Sequence, residues 1–374
     1  MTRTVLVVGG GIAGNALTVL LRRAGFAVDL VELREDWNST TGSGITLQGN
    51  ALRVLRKVGV LDLVLRDGFA FDELSLLSPD GTVVAVQSSG RVGGDDLPAT
   101  VGMQRPRLQQ ILIDAVRASG AFVRLGRTVT AFEQDTDSVR VTFDDGTTGR
   151  YDLVVGADGV QSGVRRLIGI DCLPEPTGMA IWRAPVPRPA GVEHTHMVYG
   201  GGCFIAGCCP TGEDTAYAYL VERNRDRSAV EPAAYHQEMR RLAESYGGPW
   251  PEIQRSLTDP ALINYTWFER LLLDGPWHRG RVVLAGDAAH ACPPTLAQGA
   301  AMSLEDVLVL TELLAAEEVW DDGLFTRYRD RRYPRVREIV DGSVQLGQWL
   351  LDGVRDADVP GLMGRTAAML RELP

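Results

Sequence analysis

Residues 281–307, RVVLAGDAAHACPPTLAQGAAMSLEDV, bring together side chains and spacings suited to chemistry. An apolar run ends at Gly286-Asp287, Pro293 and Pro294 break the backbone, and Gly299, Ala300 and Ala301 open a helix. A lone carboxylate at a strand end has a fixed position and accepts bonds from two hydroxyls. A helix entrance made of small residues leaves its first N–H groups free and approachable. A large planar ligand explains both features.

Residues 9–14, GGGIAG, satisfy G-x-G-x-x-G with Gly9, Gly11 and Gly14. Gly9 permits a tight turn, Gly11 lets a pyrophosphate reach the backbone, and Gly14 lets the helix opened by Ile12 and Ala13 pack on its strand. The helix N-terminus favours phosphate charge. Glu32, at the end of the next strand, suits an adenosine ribose, and Arg34 lies toward the same end. FAD and NAD both fit this site. A third stretch, YDLVVGADGVQSGVRR (151–166), is a strand ending in Gly156-Ala157-Asp158-Gly159, with Ser162 and Arg165 entering a helix.

Regular elements must position these turns. TVLVVGG, GIAGNALTVLLRRAG and FAVDLVEL read as strand, helix and strand, a βαβ unit with a right-handed crossover. A polar loop from Asn38 to Gly44 and a helix (NALRVLRKVG) follow, then a hairpin around Asp80-Gly81 and a helix over RPRLQQILIDAVRASG. AFVRLG, VTAFEQDTDSVRVTF and TTGRYDLVVGADG read as strands, with a second hairpin at Asp145-Gly146. Residues 178–270 alternate strand-like runs with one helix, which predicts an antiparallel sheet; RVVLAG returns to the α/β pattern, and helices follow from about Ala300.

Composition narrows the function classes. The chain has 374 residues, 45% of them hydrophobic, with a net charge of −10, which repels nucleic acid and anionic membranes. Lys57 is the only lysine. No apolar run is long enough to span a bilayer, and MTRT leads straight into VLVV without a signal-peptide pattern, so a cytoplasmic location is expected. Cys172, Cys203, Cys208, Cys209 and Cys292 form no CxxC, and His194 and His196 lack a third ligand, so no metal is expected.

With its three motifs in order across roughly the first 310 residues, the sequence resembles the class A flavoprotein monooxygenases, the single-component aromatic hydroxylases that act on substrates such as p-hydroxybenzoate and salicylate. The resemblance implies an α/β fold: a Rossmann-like, three-layer ββα FAD-binding domain with an inserted antiparallel-sheet substrate domain and C-terminal helices. Its expected boundaries are 1–70, 100–175 and 272–320 for the FAD domain, 71–99 and 176–271 for the substrate domain, and 321–374 for the helices. It further implies that Asp287 holds the ribityl chain and that Asp158 supports or touches the cofactor. The N–H groups of Gly299, Ala300 and Ala301 then face the flavin pyrimidine, where reduction places negative charge. GMQRPRLQQIL resembles a family helix start whose arginine, here Arg105, reaches the pyrophosphate or ribityl region; Gly44, Ile45 and Pro294 lie beside the flavin. Two departures stand out: Ala297 replaces a glycine and Ala301 an asparagine of the family's P-x-x-G-Q-G-x-N.

The implied reaction is NAD(P)H reduction of FAD, formation of a C4a-hydroperoxyflavin with O2, and hydroxylation of an aromatic or polycyclic small molecule. No second G-x-G-x-x-G exists, since Ile205 stands where the run at Gly200 would need its last glycine. NADH or NADPH is therefore expected as a transient co-substrate. Arg183, in MAIWRAPVP, is the candidate for substrate contact or flavin gating, and Tyr199, Tyr217, Tyr265, Trp267 and Pro293 are candidate pocket walls. An FAD-dependent epoxidase, oxidase or reductase of a terpenoid or polyketide, or a non-catalytic flavin-binding protein, keeps the same fold. The expected assembly is a monomer or homodimer.

Overall fold

The computed structural model describes residues 2–38, 44–227 and 230–374; most of the polar loop expected between Asn38 and Gly44 lies outside them. Its organising element is a six-stranded sheet in the order His278–Arg279, Val282–Leu284, Leu153–Gly156, Thr4–Val8, Ala27–Glu32, Phe122–Leu125. All pairings are parallel except that of the first, edge strand. Val5, Leu6, Val7, Leu153, Val154, Val155, Val282, Val283 and Leu284 are completely buried, which is why these strands are uninterrupted apolar runs in the sequence.

Parallel pairing also aligns the strand ends. Val8 lies opposite Val31 and Gly156, and Gly156 lies opposite Leu284. The turns that follow these strands therefore share one edge of the sheet. Helices Ile12–Arg23, Arg105–Ala118 and Gly299–Ala316 pack side by side, the first between the other two. A small antiparallel sheet, Val129–Gln134, Val139–Phe143 and Thr148–Tyr151, adds another layer.

An eight-stranded sheet runs His290–Ala291, Asn264–Leu272, Glu175–Pro187, Thr215–Arg223, Ile205–Pro210, Thr195–Tyr199, Glu73–Leu77, Val83–Ser88. One face buries Trp182, Ala184, Ala218, Leu220 and Cys208 beneath two helices, Tyr235–Ala243 and Trp250–Ser256. The sequence predicts only the first; the second starts at Trp250-Pro251, after Gly247-Gly248-Pro249, residues that break helices. A three-stranded sheet of Gly44–Gln48, Thr100–Gln104 and Phe69–Phe71 joins the two large sheets. Helices Asp322–Asp352 and Val359–Arg371 complete the chain, and among the described residues no helix is long and apolar enough to cross a membrane.

The glycine turn is packed without slack: a Cβ on Gly14 would lie 1.8 Å from the Gly9 carbonyl oxygen. Gly14→Ala must push the first helix off its strand, and urea denaturation should register a loss of about 1–3 kcal/mol. An unchanged midpoint would show that turn and helix are not in contact.

Candidate active site

At the first turn, Gly9 has φ +105°, and a Cβ there would lie 2.4 Å from the Ala157 carbonyl oxygen, so this turn abuts the second motif. The Gly10 carbonyl accepts bonds from Asn15 (2.8 Å), Trp37 (3.0 Å) and Gln109 (2.7 Å). Glu32 takes the Gly10 N–H with one oxygen (2.7 Å) and the Arg34 N–H with the other (2.9 Å), which leaves each a further lone pair. Gly11, by contrast, is exposed, and a Cβ there would meet nothing within 4 Å. The helix begun by half-exposed Ile12 and Ala13 has no side-chain cap and no acid in its first turn. Its free N–H groups fit a pyrophosphate.

In the second motif, Asp158 accepts bonds from the Ser162 hydroxyl (2.5 Å) and the Val164 N–H (3.0 Å), so it stabilises its own turn. Fully buried Arg165 donates to the Val160 carbonyl (2.8 Å) and to the Ala288 carbonyl (2.9 Å), one residue past Asp287. The second and third motifs are thereby bonded to each other. Gly286, at φ +62°, packs against Ala13 and Ser303, and Ser303 donates to Asp287 at 3.4 Å.

Asp287 is solvent-accessible, yet burial pushes its carboxyl up, against the opposing charges of His290 and Arg105. A group that water touches and protein surrounds lines a deep cleft. The same description applies to Arg105, whose guanidinium is pushed down by burial, and to Cys292, pushed up to about 12. It applies also to Tyr217, Tyr219 and Tyr199, all raised by burial. Arg105 feels the charges of Asp287, Arg183 and Arg34, and Arg183 lies beside the Tyr217 hydroxyl, where it opposes the rise. Asp287, Arg105, Arg183 and Tyr217 therefore share one cleft, and a Cβ on Gly44 would lie 2.6 Å from Tyr217. Gly299 and Ala300 are half-exposed at the start of an uncapped helix, Ala301 and Pro293 are buried, Pro294 is exposed, and Ile45 is half-buried in the joining sheet.

Two expected pocket walls are not there. Tyr265 pairs with Trp182, and Trp267 with Ala180, whereas Arg183 follows Trp182 and has the opposite parity to both partners, which places it on the other face. Side chains alternate along a strand, so Tyr265 and Trp267 point away from the cleft. Tyr265 packs on Trp182 at a centroid distance of 4.5 Å, and Trp267 is exposed on the outer surface. Tyr219, Met197 and Cys209 take the site-facing positions instead; alternation from Arg183 identifies them once the registers are known.

Behind the cleft lies a charge cluster not read from the sequence. Asp306 accepts bonds from the Gly286 N–H (2.9 Å), His290 Nε2 (2.6 Å) and Arg332 (2.8 Å). Glu305 binds Arg332 (2.8 Å), Arg335 (2.6 Å) and Asn50 (3.1 Å), and Asn50 continues through Gln298 to Gln48. Burial would raise both carboxyls; Arg332 and Arg335 at Glu305, and His290 and Arg332 at Asp306, outweigh it and hold both below the ordinary range. The available signal was two adjacent acids inside the otherwise apolar run 304–310, which have to find partners.

The cleft's chemistry fits FAD: open N–H groups at Gly11 for phosphates, a recessed carboxylate for hydroxyls, and small residues at an uncapped helix for the ring. A family model described as "FAD binding domain" matches residues 2–343. The chain is 33% identical over 349 residues to 2-heptyl-3-hydroxy-4(1H)-quinolone synthase of Pseudomonas aeruginosa, covering 92% of this chain and 90% of the relative. It is 31% identical over 351 residues to aurachin C monooxygenase/isomerase of Stigmatella aurantiaca, with 92% and 90% covered. The solved structure of 2-methyl-3-hydroxypyridine-5-carboxylic acid oxygenase superimposes with a TM-score of 0.81 at 26% identity, covering 98% of this chain and 96% of that one.

Ala297 has φ +53°, and among the described residues it is the one non-glycine in the left-handed region. Ala297→Gly relieves that strain at a smaller cost in unfolded-state entropy, and should stabilise the fold by a net of about 0.5–1 kcal/mol in thermal or urea unfolding. Because Glu305 and Asp306 have depressed folded pKa values, their contribution is present above the unfolded value of about 4 and is lost as pH falls through the folded one. Asp306→Ala should lower stability at neutral pH by about 3–5 kcal/mol, since Arg332 stays buried, and should remove about one proton from the acid slope. Urea titrations from neutral to acid pH measure both effects, and an unaltered slope would contradict the pairing.

Proposed function

This chain belongs to the FAD binding domain family of flavoprotein monooxygenases, and from that premise we propose that it uses NAD(P)H and O2 to hydroxylate an electron-rich aromatic or heteroaromatic small molecule. The atoms balance as NAD(P)H, a proton, O2 and an aryl C–H giving NAD(P)+, water and an aryl hydroxyl. One observation carries the reading: Arg183 and Tyr217 of the eight-stranded sheet share a cleft with Asp287 and Arg105 of the cofactor side.

In this reading the N–H groups after Gly11 hold the pyrophosphate, Glu32 meets the ribose, Arg34 and Arg105 supply positive charge, and Asp287 receives the ribityl hydroxyls. FAD, when bound, supplies the activation of O2 with electrons from NAD(P)H. Gly299 and Ala300 present main-chain N–H groups to the pyrimidine edge, a fixed dipole that favours negative charge there. On the substrate side, the Tyr217 hydroxyl is protonated at neutral pH like any tyrosine, and burial raises it further, so it donates a hydrogen bond to a substrate oxygen. The Arg183 cation favours the ionised form of a ring hydroxyl, which makes the ring a better nucleophile. Cys209 and Cys292, raised to about 11 and about 12, take no part as thiolates.

We assign cofactor binding to residues 1–70, 100–175 and 272–320, the substrate wall to 71–99 and 176–271, and bracing to 321–374. Purified protein should be yellow with bound FAD, and Asp287→Ala should weaken FAD binding at least about tenfold, as expected for loss of charged hydrogen bonds. A panel of aromatic acids, quinolones and polyphenols should then include compounds that raise NAD(P)H oxidation with equal formation of an 18O-labelled product. Peroxide released in place of labelled product would identify an oxidase and overturn the proposal.

A further inference from the structure

The site-facing wall continues well beyond Arg183. Cross-strand partners share a face, and the registers lead from Arg183 to Tyr219, Gly207, Met197 and Leu76 in turn. A second row on that face runs Ile181, Val221, Ile205, Tyr199. Three strand spacings separate the strand of Arg183 from that of Tyr199, about 14 Å.

Helices seal the opposite face; on this one Ile181, Val221 and Ile205 are buried, while Tyr219, Met197 and Leu76 stay half-buried and Tyr199 is 50% exposed. Tyr199 stands at the far end of this track, and burial raises its hydroxyl. Tyr219 feels both Tyr217 and Tyr199, which places it between the ring site and Tyr199. Its own ring covers Gly207, where a Cβ would lie 2.0 Å from it. Leu350 and Leu351 of the long helix pack in the same apolar cluster as Met197 and Tyr219. Past Arg183, neither row carries a charged side chain.

We propose that the substrate has two parts: an oxygen-bearing ring held at Arg183 and Tyr217, and an uncharged apolar extension that crosses Tyr219 and Met197 toward Tyr199. This rests on the proposed function and adds the substrate class. A ring alone leaves Met197, Leu76 and Tyr199 wet, and a charged extension loses its hydration there without gaining a partner. An aliphatic or isoprenoid chain gains with each buried methylene, about fourfold in affinity.

The experiment titrates FAD-loaded protein with salicylate and with 4-quinolones carrying methyl, butyl or heptyl chains beside the ring nitrogen. Binding is read from the flavin absorbance and turnover from NAD(P)H oxidation. The heptyl compound should bind at least about 30-fold more tightly than the methyl one, several methylenes' worth of burial. Met197→Glu should cut that heptyl-to-methyl ratio at least tenfold, and Met197→Leu should keep it. Equal binding at all chain lengths, or a ratio indifferent to Met197→Glu, overturns the extension. If short rings bind and are hydroxylated while chains add nothing, the extension fails and the proposed function stands. If no compound perturbs the flavin or stimulates oxidation, both fall.

Discussion

Glu305 and Asp306 sit side by side at zero exposure, and the cofactor side of the molecule depends on their being paired. Two unpaired carboxylates there would cost far more than the fold's whole stability, or would protonate and abandon their partners. Arg332 and Arg335 from the long C-terminal helix balance them charge for charge. The same carboxylates reach forward: Asp306 holds the Gly286 N–H, next to the Asp287 carboxylate, and Glu305 holds Asn50 and, through it, Gln298 at the helix entrance. Arg335 extends the cluster to the carbonyls of Met369 and Leu370 in the last helix. Elements that look like additions to a nucleotide-binding domain thus fix its most demanding turn.

The cleft is built where unlike layers are pressed together. A parallel sheet delivers three turns to one edge, and Arg165 bonds the second turn to the third. An antiparallel sheet turns its sealed face toward helices and its open face toward those turns. Direct contact at Gly44 leaves no room for a side chain over Tyr217. Oxygen chemistry on a bound ring is served by such an arrangement, with open main-chain groups on one wall and few polar atoms on the other.

Much of this was legible in the chain itself. The glycine turn, Glu32, Asp158 and Asp287 each follow a buried apolar run, so their place at a strand end is local information. The hairpins at Asp80-Gly81 and Asp145-Gly146 form where those dipeptides stand, because the turn geometry is encoded in two residues. Strands Gly44–Gln48 and Thr100–Gln104 were not legible, since five residues of mixed polarity carry too little period. Arg183 and Tyr217 lie 34 positions apart in sequence and became neighbours through pairing of their strands, Pro185 standing opposite Tyr217. Tyr265 and Trp267 had the right residue types but the wrong parity relative to Arg183.

Sequence alone determined the βαβ frame and the acids that end its strands, because each depends on spacing within a few residues, and the order of three motifs gave the resemblance that implied the family and FAD. Only the tertiary structure decided which aromatic residues face the cleft, how far its apolar wall extends, and that Arg332 and Arg335 neutralise Glu305 and Asp306. Those outcomes depend on strand register and on charges from distant segments meeting in a medium of low polarity. A register shift of one residue reverses every side chain, and nothing in the local sequence records it.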